Sequence, residues 1–253
     1  MNYVLEKSKK HMVKGFDQSV HVFKFKNSDW KDKGIKLPVV SITLPKPVGQ
    51  IDISNTSEGM CGGMTYAVID YFQAGKKIPQ TMSPPATESD PLFKYLKQRL
   101  IESWDVTGTG PNYIKFMRHD YPDADEGVVQ GLGLMKGRSY VIAREEWPKV
   151  KADIDANRLS PIGLVQIITY DPTKIGKNHQ VLVYGYKLSG NLVTLYYYDP
   201  NSPNDNMELR FTIGDLAKRI DILRFRNNVY DAKTINTFFR TTYHSPPASL
   251  VKP

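Results

Sequence analysis

One cysteine, Cys61, is all that the 253-residue sequence holds. An intrachain disulfide and any multi-thiolate zinc site are thereby excluded. No apolar run reaches the roughly 20 residues that a membrane-crossing helix needs, so no membrane span is expected. The opening residues, MNYVLEKSKKHMVKG, lack an apolar stretch of signal-peptide length. A reducing, cytoplasmic location is the default expectation, with export by another route left open. Nor is there an internal repeat or a low-complexity segment. Charge is only mildly one-sided: 34 Lys and Arg against 26 Asp and Glu leave a net +8. The excess is spread along the chain, with a mild cluster at Lys7, Lys9, Lys10, His11 and Lys14 that reads as a solvated face rather than a nucleic-acid arm.

What is present is ample material for a core. Val20–Lys26 alternates as a strand would, and residues 27–50 read as an extended, mostly irregular lead-in with a short strand at Val39–Thr43. Met64, Ala67, Val68, Tyr71 and Phe72 then recur at helical spacing after the Gly-rich turn that contains Cys61, and Gly75 is placed to end that helix. Pro79–Asp90 reads as a loop. Asp90 and Pro91 match an N-cap and first helical position, and Leu92, Phe93, Leu96, Leu100, Ile101 and Trp104 form the apolar face that follows. A shorter helix is expected at Asn112–His119. Residues 120–140 are loop-like; Asp123, Asp125 and Glu126 form an acidic turn that lacks calcium-loop spacing. The next helix is expected to start around Glu145–Pro148, because proline is tolerated in a first turn, and to run to Asn157. Strand patterns then dominate: Pro161–Tyr170, a hairpin of His179–Leu188 and Leu192–Tyr198 about Ser189-Gly190-Asn191, Met207–Ile213 and Ile220–Phe225. Helices first and strands second argue for an α+β fold.

Candidate chemistry gathers at three places. A thiol in the first turn of a helix feels the positive end of the macrodipole, which favours the thiolate. Gly59, Gly62 and Gly63 each lower helix propensity by about 1 kcal/mol in a helix interior, and access of another chain to the sulfur is one reason to keep them. The competing reading of a lone cysteine is a buried small hydrophobe. A nucleophile needs a base, and a base needs an orienting group. Of the histidines, His179 alone opens a strand directly after a turn-rich loop, DPTKIGKN. His11, His21, His119 and His244 fall in the basic N-terminus, a strand pattern, an acidic helix end and the tail. With a three-residue hairpin loop, His179 would face Asn201 and Val181 would face Asp199, so that His179, Asp199 and Asn201 share one face. A two-residue loop would separate them unless a bulge intervened. Taken alone, Asp199-Pro200-Asn201 is also a turn cap.

These residues resemble the papain-like cysteine peptidase superfamily, nearest to the bacteriocin-leader-processing branch. The resemblance rests on Cys61 at a helix start, on NHQVLVYGY beginning at Asn178 and on YYYDPN ending at Asn201, and it covers roughly residues 55–205. It implies one papain-like domain over 1–253: a lead-in over 1–50, a helical half over 55–160, a β half over 161–241 and a tail over 244–253. The helical half, carrying the Cys61 helix, would pack on an antiparallel sheet or half-barrel carrying His179 and Asp199. It further implies Cys61 as nucleophile, His179 as base and Asp199 as orienting group, with Asn201 the competing third member. The Cys61 N–H and the Asn55 amide would bind the oxyanion beside Gly62 and Gly63; the superfamily usually has glutamine where Asn55 stands. No metal or organic cofactor is implied, and the partner would be a peptide or protein substrate. Hydrolysis of a peptide or isopeptide bond is the leading expectation. Transglutamination, deamidation or acyl transfer by the same triad is an alternative, as is a binding module without chemistry. Nucleic-acid binding, suggested by net charge and by Tyr184, Tyr186, Tyr196, Tyr197 and Tyr198, is weaker because these tyrosines lie on strand patterns and read as core.

Overall fold

The computed structural model describes residues 8–32, 40–44, 49–53, 60–105, 108–125 and 135–246. In chain order the elements begin with β1 (Lys10–Met12), α1 (Gln18–His21), α2 (Asp29–Asp32), β2 (Val40–Leu44) and β3 (Gly49–Ile53). Three helices follow, α3 (Cys61–Gln73), α4 (Pro91–Ser103) and α5 (Thr109–Met117). Then α6 (Arg138–Tyr140), a π-helical stretch (Val141–Glu146) and α7 (Trp147–Asp155) run on without a break. The rest is β4 (Ser160–Val165), a 3-10 turn (Pro172–Lys177), β5 (His179–Ser189), β6 (Leu192–Tyr198), β7 (Met207–Thr212), β8 (Leu223–Arg226), β9 (Val229–Asp231) and β10 (Thr237–Arg240). Helices and an antiparallel sheet thus make an α+β fold.

The sheet runs β10-β4-β5-β6-β7-β8-β9, with β1 alongside the second half of β5, while β2 and β3 form a separate hairpin. The β5–β6 loop holds two residues, not three: Ser189 pairs with Leu192 across Gly190-Asn191. A bulge between Val183 and Gly185 then shifts the register by one residue, so Leu182 pairs with Tyr198. The bulge restores at the far end the parity that a three-residue loop would have set. His179 and Asp199 therefore lie on one face after all.

Other expectations give way to local chemistry. Val20–Lys26 is not a strand. Asp17 caps α1 by accepting from the Ser19 N–H at 2.8 Å, and the chain leaves that helix as an irregular segment that buries Val22, Phe23 and Phe25. The helix expected from Glu145 starts at Arg138, because the π-helical stretch accommodates Pro148. Trp147 N–H reaches back five residues to Ile142 O, the wider spacing of a π turn. The strand expected to reach Tyr170 stops at Val165, and α5 starts three residues early at Thr109. β9 lies beyond the strand patterns of the sequence; Asn227 and Asn228 take left-handed φ of 50° and 65° in the two-residue turn that joins it to β8.

At the centre lies α3, buried on every side from Cys61 to Tyr71 rather than along one stripe. Thr65 Oγ1 donates to Gln180 O of the sheet at 3.5 Å, Tyr71 packs edge-on to Phe23, and Gly63 meets α4. Arg99 is fully buried on α4, where the apolar pattern had pointed to Ile101, which is exposed. Its guanidinium holds Asp70 through Nε at 2.8 Å and Nη2 at 3.0 Å, and Nη2 also donates to His244 O at 2.8 Å. Tyr95 and Tyr243 hydroxyls complete the shell of Asp70 at 2.6 and 2.5 Å. The C-terminal strap is thereby tied to α3 and α4.

Candidate active site

Cys61 is the first residue of α3, so its backbone N–H is one of those a helix leaves without an intrahelical partner. Its thiol is 9% exposed, and the groups that act on it electrostatically are the His179 imidazole and the Gln180 and Gly62 N–H groups. His179 opens β5 and is buried. Tyr113 Oη holds its carbonyl at 2.8 Å, and the preceding Asn178 accepts the Gln166 N–H at 2.9 Å and donates to Ile175 O at 3.0 Å. The residue before His179 is thus anchored on both sides.

The imidazole Nε2 faces Asp199 Oδ1 at 2.7 Å, which leaves Nδ1 as the nitrogen for the sulfur. Asn201 Nδ2 stands 3.3 Å from the same Nε2. A proton on Nε2 that is donated to Asp199 leaves no lone pair for an amide N–H to meet, so Asp199 is the partner and Asn201 a flank. Asp199 is fully buried, with Oδ1 also accepting from the Asn201 N–H at 2.8 Å and Oδ2 from Arg224 Nη2 at 3.1 Å. Burial would raise its carboxyl, yet His179 and Arg224 outweigh that and hold it down at about 2. Burial would likewise strip the proton from His179; the negative charges of Asp199 and Cys61 overcome it and lift the imidazole to about 9. For the thiol, burial pushes up, and the His179 charge with its hydrogen bond pulls the value below the ordinary 9.0. Each of the three shifts is thus set by its neighbours' charges: Cys61 by His179, His179 by Asp199 and Cys61, and Asp199 by His179 and Arg224.

Asn27, which sequence reasoning passed over, ties the pieces together. Its Oδ1 accepts the Met60 N–H at 2.5 Å, its N–H donates to Pro200 O at 2.8 Å, and its Nδ2 donates to Asn201 Oδ1 at 3.1 Å. One side chain from the lead-in therefore sets the start of α3 against the turn that follows β6. Arg224 was missed as well. In LRFR, alternation assigns Leu223 and Phe225 to the core and the arginines to solvent, whereas Arg224 is buried and Leu223 exposed.

Gly62 and Gly63 do not open the sulfur to another chain, as had been expected. A Cβ at Gly62 would meet Ser103 Oγ and the Gln180 amide, and one at Gly63 would overlap Leu96 O of α4. Their small size lets α3 seat against α4 and the sheet. Gly59 and Asn55 lie outside the described residues, as does Glu126. Asp123 of the acidic turn binds Arg138 Nη1 at 2.7 Å. The other histidines stay apart from the site: His11 stacks on Tyr186, His21 ends α1, His119 lies beside Tyr170 and His244 is held through its carbonyl. Tyr186, Tyr197 and Tyr198 are core residues, while Tyr184 and Tyr196 are partly exposed. Among the described residues no helix is long and apolar enough to cross a membrane, and no group of three or more His, Cys, Asp or Glu is arranged to hold a metal. Comparison with protein-family models, with curated proteins and with solved structures gave no match to this chain.

Proposed function

We propose that the chain is a cysteine-dependent hydrolase of papain-like type that cleaves a peptide or isopeptide bond through a thioester. The observation that carries this reading is the bridging position of His179, within reach of the Cys61 sulfur and 2.7 Å from Asp199. In the reaction the Cys61 thiolate attacks the substrate carbonyl carbon and the carbonyl oxygen becomes an oxyanion. The Cys61 N–H and the positive end of α3 would stabilise that charge, with Asn55 as a second donor by resemblance. The His179 imidazolium gives its Nδ1 proton to the departing amine, and the C–N bond breaks to leave a thioester. Neutral His179 then takes a proton from water, hydroxide attacks the thioester carbonyl, and loss of the acid restores the thiolate. Asp199 keeps the imidazole in one orientation throughout.

The chain's single cysteine makes the test clean, since a thiol reagent reports one atom. Wild type is expected to react with iodoacetamide well below pH 8, to lose all labelling in Cys61→Ala and to be slowed at least tenfold in His179→Ala, one pKa unit's worth of thiolate. Equal labelling of His179→Ala and wild type would mean an exposed but unactivated thiol and would sink the reading. Adding a primary amine during turnover of a peptide thioester separates hydrolysis from acyl transfer by the product formed.

A further inference from the structure

Behind the orienting carboxylate lies a second buried charge. Arg224, in the middle of β8, is 3% exposed, and the strand register puts it on the sheet face that carries Asp199. Asp199 divides its oxygens between two cations: Oδ1 is 2.7 Å from His179 Nε2 and Oδ2 is 3.1 Å from Arg224 Nη2. On its other side Arg224 Nε stands 3.3 Å from Asp231 Oδ2 of β9. Asp231 is also 3.7 Å from Arg226 Nη2, and Arg226 Nε is 3.7 Å from Asp205. Outward from the sulfur the charges alternate: thiolate, imidazolium, Asp199, Arg224, Asp231. Lys233 also acts on this row, feeling Arg224, Asp199, Asp231 and Cys61, while the Tyr197 and Tyr198 phenols beside it are kept neutral by burial.

A buried guanidinium is costly unless it is paired, and breaking such a pair is far more costly than never having built it. A guanidinium also keeps its charge at every pH the protein meets. It therefore acts on Asp199 as a constant positive charge, where a histidine would titrate. We propose that Arg224 is the positioning residue of the site: clamped between Asp199 and Asp231, it turns the Asp199 carboxylate edge toward His179 and limits how strongly that carboxylate grips the imidazolium. This rests on the thiolate–imidazolium reading above. Without Arg224 the full Asp199 charge bears on both reacting groups, so the imidazolium becomes harder to deprotonate and the thiol harder to ionise. Without Asp231 the guanidinium bears undivided on Asp199, and both effects reverse.

The pH profile of Cys61 alkylation by iodoacetamide tests this. It has a lower inflection for thiol ionisation and an upper one for loss of the imidazolium proton. Arg224→Met is expected to move both inflections to higher pH by about one unit, a tenfold loss of rate below the lower one. Asp231→Asn is expected to move both to lower pH by about half a unit. Arg224→Lys keeps the charge but not the fork, and should recover at least half of the Arg224→Met shift. A residue that merely props up the sheet would lower stability in these variants without opposite displacements of the profile. Unmoved inflections, or displacement of both charge variants in one direction, would overturn the assignment while leaving the thiolate–imidazolium pair intact. Should Arg224→Met not fold, Asp231→Asn decides alone, and absence of its acid shift overturns the proposal. A wild-type profile with no inflection below the ordinary thiol range would remove the proposed function, and the role of Arg224 with it.

Discussion

Replacing Gly63 with alanine sets two effects of known sign against each other. Alanine is the better helix former by about 1 kcal/mol, so propensity alone makes Gly63→Ala stabilising. Geometry opposes it. The added Cβ would overlap the Leu96 carbonyl oxygen and lie 3.0 Å from Leu100 N and 3.2 Å from Leu100 Cβ. Two of those atoms belong to the backbone of α4 and cannot rotate aside, so the helices must separate. Overpacking of this kind costs about 1–3 kcal/mol, and backbone against backbone belongs at or above the top of that range. The net expectation is a loss of about 2 kcal/mol, equivalent to about 4–8 °C in Tm for a chain of this size. Gly62→Ala meets only the ends of the Ser103 and Gln180 side chains, which can swing away by giving up their mutual 3.2 Å hydrogen bond. Its expected loss is smaller, about 1 kcal/mol. Urea and thermal unfolding of both variants would check the order. A Gly63→Ala protein with a raised Tm would refute the close-packing argument and leave propensity as the only term.

Four further outcomes are expected. Asp199, with its carboxyl at about 2 against an ordinary 3.8, contributes stability that is complete above 3.8 and is lost as pH falls through 2. Urea midpoints should therefore drop over that interval in wild type and drop less in Asp199→Asn. His179, raised from 6.5 to about 9, contributes fully below 6.5 and loses that contribution as pH rises through 9. The depressed Cys61 thiol acts in the opposite sense, gaining stability as pH rises toward 9.0, so the decline should be steeper in Cys61→Ala than in wild type. Asn27→Ala leaves the Met60 N–H without its side-chain acceptor, and should cost about 1–3 kcal/mol in unfolding experiments and slow Cys61 alkylation. Arg99→Met strands the buried Asp70 and frees the His244 carbonyl. It should cost about 3–5 kcal/mol and open residues 241–246 to limited proteolysis that wild type is expected to resist.

Local chemistry made much of this molecule legible before any coordinates. Asp90 and Pro91 announce α4, and Asp90 Oδ1 does accept the Leu92 N–H at 2.8 Å. Gly75 takes the left-handed φ of 64° that ends α3, and the strand patterns from Pro161 to Phe225 correspond to β4 through β8 with shifted ends. Such features depend on residues within a turn or two of each other, which is why composition and spacing reveal them. The meeting of His179 with Asp199 has another origin. It depends on a one-residue bulge at Tyr184 that compensates a shorter hairpin loop, and no local signal marks a bulge inside an apolar strand.

Arg224, Arg99 and Asn27 are polar residues whose own neighbourhoods in the chain argue for solvent. Their burial is decided by partners on other elements: Asp199 and Asp231 for the first, Asp70 and His244 for the second, Met60 and the turn at Pro200 for the third. A charge or amide can leave water only where distant segments supply its hydrogen bonds together. The amino-acid sequence by itself determined most of the longer helices and strands and which side chains can do chemistry, but not β1, β9 or β10. Only the tertiary structure decided which of those side chains meet, because that depends on register, on helix separation set by two glycines, and on ion pairs between segments far apart along the chain.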